Sequence, residues 1–521
     1  MSTTLDEPPE PVAPGRPRFV LALRLLAGLS ALVALSALWS VERVHSSHDL
    51  QLAAASEARP GEQLALRALL FRNVDAPEGP TLTHADATVR LLDAAEREVA
   101  RVALVPSALD TLDGSLVLPA LPDGRYVLEA AAELEGEPLR CRRALAIGEH
   151  VPAVAALGRE AGPLQQLSVG RARVPEGAAP PVPLAPRVVG GACIPEQRCT
   201  VLVWVGAPAA ALAVEADPRS ISVESAPPSR EQDGIVALSL IVHGPEAQLT
   251  LRATRAGRLV AERALRLPLA LGEAGLFVDR SIVESEAPSV RVAPPPGRGH
   301  VIFDVFSSGR WRSSRVLEAP GALVDLPRDA LTLPTGLVQL QVRSDRFSGE
   351  GSGGRVVYVR SPGESDEAAL TRLATELPRM VGAHETDAWA EALPPFARED
   401  AQRAAAYLLA PLEQLRVPVP PAVSGRPAAL SRLARTRALA RYGVAGALVL
   451  SALVIGLSIA RRGLSATDEA EAILHEARDG RVEASARELL RARTAVVLLV
   501  LAVAAAFLAG ALLIVAKPLW F

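Results

Sequence analysis

The chain has 521 residues, with 55 basic against 58 acidic side chains, 49% hydrophobic residues and only 3% aromatics. A formal charge of −3 sets up no basic field for nucleic acid to follow. So few aromatics leave any core to Leu, Val and Ala, which suits thin β-sandwiches better than a deep catalytic cavity.

Lysine occurs once, at Lys517, while Ala, Pro and Leu abound, a composition expected of a GC-rich bacterial genome. The length leaves room for three or four domains of ordinary size. Three apolar runs, Arg18–Ser40, Tyr442–Ala460 and Ala495–Ala516, each approach the ~20 residues that carry a helix across ~30 Å of hydrocarbon. They predict transmembrane helices at 18–40, 442–460 and 495–516.

Arg16 and Arg18 precede the first run and only Arg43 follows closely, so the tail 1–17 is placed in the cytoplasm. The long leader carries Asp6, Glu7 and Glu10 and ends in no small-x-small site, which reads as an uncleaved anchor rather than a signal peptide. Arg24 lies near enough to that end to snorkel to the headgroups. The stretch 41–440 then falls in the periplasm of a bacterial inner membrane, and 461–494 returns to the cytoplasm with seven arginines against five just before the second run. Trp39, Tyr442 and Trp520 sit where an aromatic belt places them. His45–Asp49 reads as a solvated stalk, lacking the further ligand a metal site needs.

From about His48 to Gly148 the pattern has period two. Leu64, Leu66, Ala68 and Leu70 alternate, Val89–Leu91 leads to a turn at Asp93–Glu96, and Leu121-Pro122-Asp123-Gly124 turns into a strand with Tyr126, Leu128 and Ala130 on one side. Pro60-Gly61-Glu62 opening a strand, the Leu-Leu-Asp-Ala centre and the closing Leu-Pro-Asp-Gly-Arg-Tyr resemble the macroglobulin-type β-sandwich of bacterial and animal alpha-2-macroglobulins. The resemblance covers residues 48–148 and implies a seven-stranded sandwich used in arrays for protein contact.

A Pro/Ala-rich linker (149–187) separates this domain from a second sandwich (188–271), whose last strands turn at Arg255-Ala256-Gly257, and a third (272–360), with a turn at Ser307-Ser308-Gly309. The fold class is therefore a mainly β ectodomain of tandem antiparallel Ig-like or macroglobulin-like sandwiches in a row. A helical membrane-proximal region (361–441) and three transmembrane helices complete it. Ser365 and Asp366 cap a helix bearing Leu370, Leu373 and Leu377, and a second helical stretch presents Tyr407, Leu408 and Leu412. The loop 461–494 reads helical, with a break near Asp479-Gly480.

Among candidate sites, Cys193-Ile194-Pro195-Glu196-Gln197 invites comparison with the Cys-Gly-Glu-Gln thioester of macroglobulins, but here Cys and Gln stand four apart, with a stiff Pro195 between them. Cys199 is the better partner, so Cys193 and Cys199 are the candidate disulfide, with two unpaired thiols the alternative. Cys141 is left as either a buried small hydrophobe or a free thiol. His384-Glu385 lacks a second His, Ser424-Gly425 lacks a nucleophile elbow, and Gly349–Gly354 reads as a hairpin loop. Gly443, Ala447 and Ser451, and then Ala502, Ala506 and Gly510, recur every four residues as candidate helix-packing ridges.

No catalytic, metal or cofactor constellation emerges, and no small-molecule substrate. The reading is a non-enzymatic, membrane-anchored protein that meets an envelope protein, or further copies of itself, through periplasmic sandwiches. The alternatives are a sensor or accessory subunit coupling the ectodomain to 461–494 and, further off, a macroglobulin-like protease trap.

Overall fold

The computed structural model describes residues 47–148, 159–160, 167–171, 173, 184–225, 232–271, 273–285, 288–321, 323–326, 332–346, 353–380, 400–476 and 482–516, with scattered positions between 25 and 39. The chain divides into two units: Ser47–Arg426, mostly β, and Met1–Ser46 with Pro427–Phe521.

The first sandwich of the β unit is one winding sheet. Its strand Glu98–Pro106 pairs with Ala87–Leu92 along most of its length and with Leu112–Val117 at its end, so a single strand serves both layers. The alternation in Gln63–Arg72 is as expected: Leu64, Leu66, Ala68 and Leu70 are fully buried in the core between the layers. The opposite face of this strand is buried as well. Ala65 is covered and Arg67 is 2% exposed, because the third sandwich lies on it.

In the second sandwich the strand Arg198–Ala216 plays the same double role. Its first half pairs with Leu184–Val188 and Gln232–Val242, its second half with Gln248–Arg255, and the register shifts between Val205 and Ala210. A strand that changes layers at a bulge is the usual corner of a sandwich. In the third sandwich, a three-stranded sheet with Gly275–Val278 at its edge faces a five-stranded one built on His300–Ser307, Arg310–Glu318, Gly336–Arg343 and Gly353–Val359. The turns at Ala256-Gly257 and Ser308-Gly309 both have positive φ at two successive residues, which matches the right-handed twist of the strands they join.

Three short strands fall in the stretch read as a linker. Arg159–Glu160 pairs with Leu415–Arg416, Ser168–Val169 pairs with Leu265 and Arg266, and Leu184–Val188 belongs to the second sandwich. Strands this short carry no legible alternation.

Helices α1 (Asp366–Met380) and α2 (Ala401–Leu409) were expected in a membrane-proximal region. They lie against the sheets. Leu370, Leu373, Leu377, Tyr407 and Leu408 form one core with Leu202 and Ile235 of the second sandwich and Ile282, Val356 and Tyr358 of the third. The third sandwich thus touches both others, so the domains do not simply follow one another in chain order.

The helical unit contains α3 (Arg426–Glu476) and α4 (Val482–Ala516). Two stretches, Arg426–Arg461 and Arg491–Ala516, are long and apolar enough to cross a membrane by length and composition. Most of the first expected span, 18–40, lies outside the described residues, as does the break expected at Asp479-Gly480. The packing seam differs from the expected small-residue ridges. Val444, Leu448 and Ala511 pack with Leu38, with Ala440, Phe507 and Ile514 beside them, whereas Gly443, Ala502 and Ala506 are exposed, Ala447 and Gly510 are half-buried, and Ser451 alone of the six is buried. The seam runs one residue along the helix from the ridge, about 100° around it, and mixes alanines with the larger Val444, Leu448, Phe507 and Ile514.

Candidate functional site

The helical wedge fills only part of the gap between the second and third sandwiches. Along the outer face of the strand Arg198–Ala216, Leu202 and Trp204 lie under α1 and α2, while Arg198 and Thr200 on the same face are left to wall a cleft of about 590 Å³. Glu224 and Ile241 continue that wall. Opposite stands the edge strand Gly275–Val278 with Phe277, Asp279 and Arg291, and the floor is made by Gly353, Gly354, Arg355 and Arg416. This volume lies within the ~300–1,000 Å³ of ordinary ligand sites.

Charge pairs and a covalent loop flank the cleft. Cys193 and Cys199 are joined by a disulfide, and Ile194 inside the loop leans over Gly275. Both bridge sulfurs are buried among the second sandwich's core residues. Arg198 donates to Glu224 at 2.8 Å and Arg291 to Asp279 at 2.9 Å, one pair on each wall. Hydrogen bonds from Ser239 and Arg198 hold the Glu224 carboxyl below the usual range.

Beneath the floor, Glu413 is 1% exposed and binds three groups at once, one after the strand Leu184–Val188 and two on Gly353–Val359. It accepts from the Gly190 N–H at 2.6 Å and the Val356 N–H at 3.1 Å, and pairs with Arg355 at 3.2 Å. Burial pushes its carboxyl pKa upward, opposed by Arg355 and the two N–H donors. Next to Gly190, Gly191 has φ +80°, and a Cβ there would strike the Glu413 carbonyl. That position admits no side chain.

A second buried cluster ties the two ends of the β unit together. Val423–Ser424 adds antiparallel to Asp49–Ala54, and the Asp49 carboxylate, 4% exposed, accepts from Ser424 Oγ at 2.8 and 2.9 Å and from the N–H of Arg426, the first residue of α3, at 3.1 Å. It is an N-cap supplied from 377 residues away in sequence. Gly425 passes so close to the Arg140 carbonyl that a Cβ would collide. Cys141 donates its thiol to the Val423 carbonyl at 2.9 Å, and burial pushes that thiol up to about 11.

His48 is also buried, with Nε2 at 3.5 Å from Glu135. The expected solvated stalk is therefore corrected at its end: His48 is buried and Asp49 begins a strand. Gly349–Ser352 and His384-Glu385 lie outside the described residues, and among the described residues no cluster of His, Cys, Asp and Glu has metal-ligand geometry. Sequence reasoning missed Asp49, Glu413 and the cleft. Asp49 and Glu413 are isolated carboxylates without a motif, and only their partners distinguish them.

No protein-family model and no curated protein matches the chain. Solved structures of alpha-2-macroglobulins do. The Salmonella protein reacted with methylamine has 15% identity and a TM-score of 0.18 over 60% of this chain and 23% of that one. The Escherichia coli protein activated by porcine elastase has 13% identity and a TM-score of 0.18 over 61% and 31%. A tetra-tandem repeat from the extending region of a large adhesion protein matches at 14% identity and a TM-score of 0.15, over 59% and 71%. The chain spans less than a third of the alpha-2-macroglobulins it resembles, and these likenesses equate no residue here with a residue there.

Proposed function

We propose that this chain holds the β unit Ser47–Arg426 outside the cytosol on membrane-spanning helices and offers its sandwiches to a protein partner in the bacterial envelope. The observation that carries this reading is the joint at Asp49. Entry to and exit from the β unit pair as adjacent antiparallel strands, so the segments leading to the first and second apolar runs leave from one place. That arrangement suits a block rooted in a membrane at both ends. A disulfide on the same unit suits an oxidising compartment.

Topology tests the reading directly. A reporter fused near residue 250 should be active only on the periplasmic side, and the purified chain should need detergent to stay monodisperse. A cytosolic reporter, or a soluble monomer without detergent, overturns it.

A second reading, coupling the ectodomain to the loop 461–494, is favoured by the continuity of α3. At 51 residues it extends to roughly 75 Å, more than twice the ~30 Å of a hydrocarbon core. Deleting 461–494 should then abolish an output while leaving partner binding intact.

A further inference from the structure

The two walls of the cleft are built alike. On one, the strand Gly275–Val278 turns Leu276 and Val278 into the third sandwich's core, as its neighbour turns in Val290 and Val292. Alternation therefore sends Phe277, and Arg291 directly opposite it, to the cleft face, where Arg291 pairs with Asp279 just beyond the strand. Phe277 is half-buried and is the one aromatic side chain among the described lining residues. On the other wall, Ile241 stands opposite Arg198, and Arg198 pairs with Glu224. Each wall thus sets an apolar side chain beside an ion pair.

The charges of the lining are already answered. Arg198, Arg291 and Arg355 are matched by Glu224, Asp279 and Glu413, and the buried Arg416 donates to the Glu413 and Leu415 carbonyls. A charged ligand gains no preference here, whereas hydrogen-bonding capacity is left over. Both side-chain hydrogen bonds to Glu224 fall on Oε2 and that to Asp279 on Oδ1, so one oxygen of each carboxylate is left to accept. Arg198 engages through Nε and Arg291 through Nη2, so each guanidinium keeps further N–H groups to donate. At the floor Arg355 is 4% exposed, and its Nε has no hydrogen-bond partner among the described residues.

We propose that the cleft binds an uncharged oligosaccharide. A sugar ring joins what each wall joins: a face of C–H groups, and a rim of hydroxyls that both donate and accept. The C–H face packs on Phe277, whose ring carries negative charge on its face, with Ile241 across the cleft. Neighbouring hydroxyls meet an ion pair together, one donating to the carboxylate oxygen and the next accepting from the guanidinium. The Arg355 Nε supplies a further donor at the floor. Because each carboxylate is held by its arginine beforehand, little ordering remains to oppose binding. An extended peptide fits less well, since its main-chain groups are spaced along a strand and offer no adjacent hydroxyls. This inference goes beyond the protein-partner reading and does not depend on it.

The test applies the full-length protein in nanodiscs to an array of defined neutral and acidic tetrasaccharides. The expected result is retention on at least one neutral member, with binding unchanged at high salt because no net charge is screened. Phe277→Ala should weaken that binding by roughly tenfold or more while leaving the thermal unfolding transition in place. A deoxy analogue of the bound sugar, lacking one of two adjacent hydroxyls, should lose at least about tenfold against the unaltered protein, which checks the ion-pair contact without any protein variant. The proposal is overturned if no neutral sugar is retained, if binding falls steeply with salt, or if the Phe277→Ala variant or the deoxy analogue binds as well as its parent. Should a phage-displayed peptide library yield binders lost in Phe277→Ala while the array stays empty, the cleft takes a protein chain and the proposal falls. A cytosolic reporter at residue 250 would overturn the envelope reading instead, and leaves these binding outcomes unchanged.

Discussion

The third sandwich meets its two neighbours in different ways. Against the first it presents a buried polar chain. Arg67 donates to Asp113 at 2.6 Å and to Ser314 at 2.7 Å, Ser314 in turn donates to Asp304 at 2.6 Å, and Asp304 also accepts from Arg343 and Trp311. Glu62 receives Arg310 and Arg312 at 2.9 and 2.6 Å. Against the second sandwich it presents an apolar wedge, α1 and α2, with a cleft beside it. The polar seam needs every partner in place, because a buried charge that loses its mate keeps its desolvation cost. The apolar seam tolerates an unfilled space at its margin, since hydrophobic contact is non-directional. An open cleft is therefore found at the second seam.

The largest test of this contrast falls on the wedge. Tyr407 is fully buried, donates its hydroxyl to the Ala185 carbonyl at 3.2 Å and packs its ring 4.0 Å from the Arg187 guanidinium. Tyr407→Ala removes an aromatic core and a cation–π partner together, and should cost roughly 3–5 kcal/mol in denaturant unfolding of the detergent-solubilised chain.

Next comes the polar seam. Arg67→Met leaves Asp113 facing a hydrocarbon, although Thr111 still donates to it, and should cost about 2 kcal/mol. The double change Arg67→Met/Asp113→Leu should recover part of that loss, because it removes both charges at once. If the double variant is no more stable than the single one, the seam is not an ion-pair lock.

The smallest effect is a matter of pH. Burial would raise the Glu62 carboxyl, but the hydrogen bond from Arg312, the Arg59 N–H and the charge of Arg310 outweigh it and hold the pKa below the ordinary range. A carboxyl depressed in the folded state contributes stability that is complete above its unfolded value near 4.5 and is lost as pH falls through the folded value. Acid below pH 4.5 should therefore loosen the contact between the first and third sandwiches progressively. Hydrogen exchange in Arg310–Glu318 reads this, and Glu62→Gln should flatten the response.

Much of the β architecture was legible because strands with one buried face alternate, and because turns such as Ala256-Gly257 and Ser308-Gly309 place a glycine at one of their two positive-φ positions. The helical stretches at Leu370–Leu377 and Tyr407–Leu412 were legible by period. Their destination was not: the same apolar face packs equally well against a membrane-proximal neighbour or a sheet. Arg67 shows the limit most clearly. By alternation it faces water, yet it is 2% exposed, because a strand 247 residues later lies on it.

What the sequence by itself determined are the properties that each segment carries alone: apolar runs of hydrocarbon length, period-two strands, hairpin turns, and a pair of cysteines six apart. What only the tertiary structure decided are the meetings between distant segments: Asp49 capping the first residue of α3, Glu413 binding Gly190, Val356 and Arg355, and the wedge that stops short and leaves a cleft. The physical reason is that hydrophobic periodicity is local and repeats often enough to be read along the chain. A single buried carboxylate acquires its role from hydrogen-bond donors brought to it by the fold.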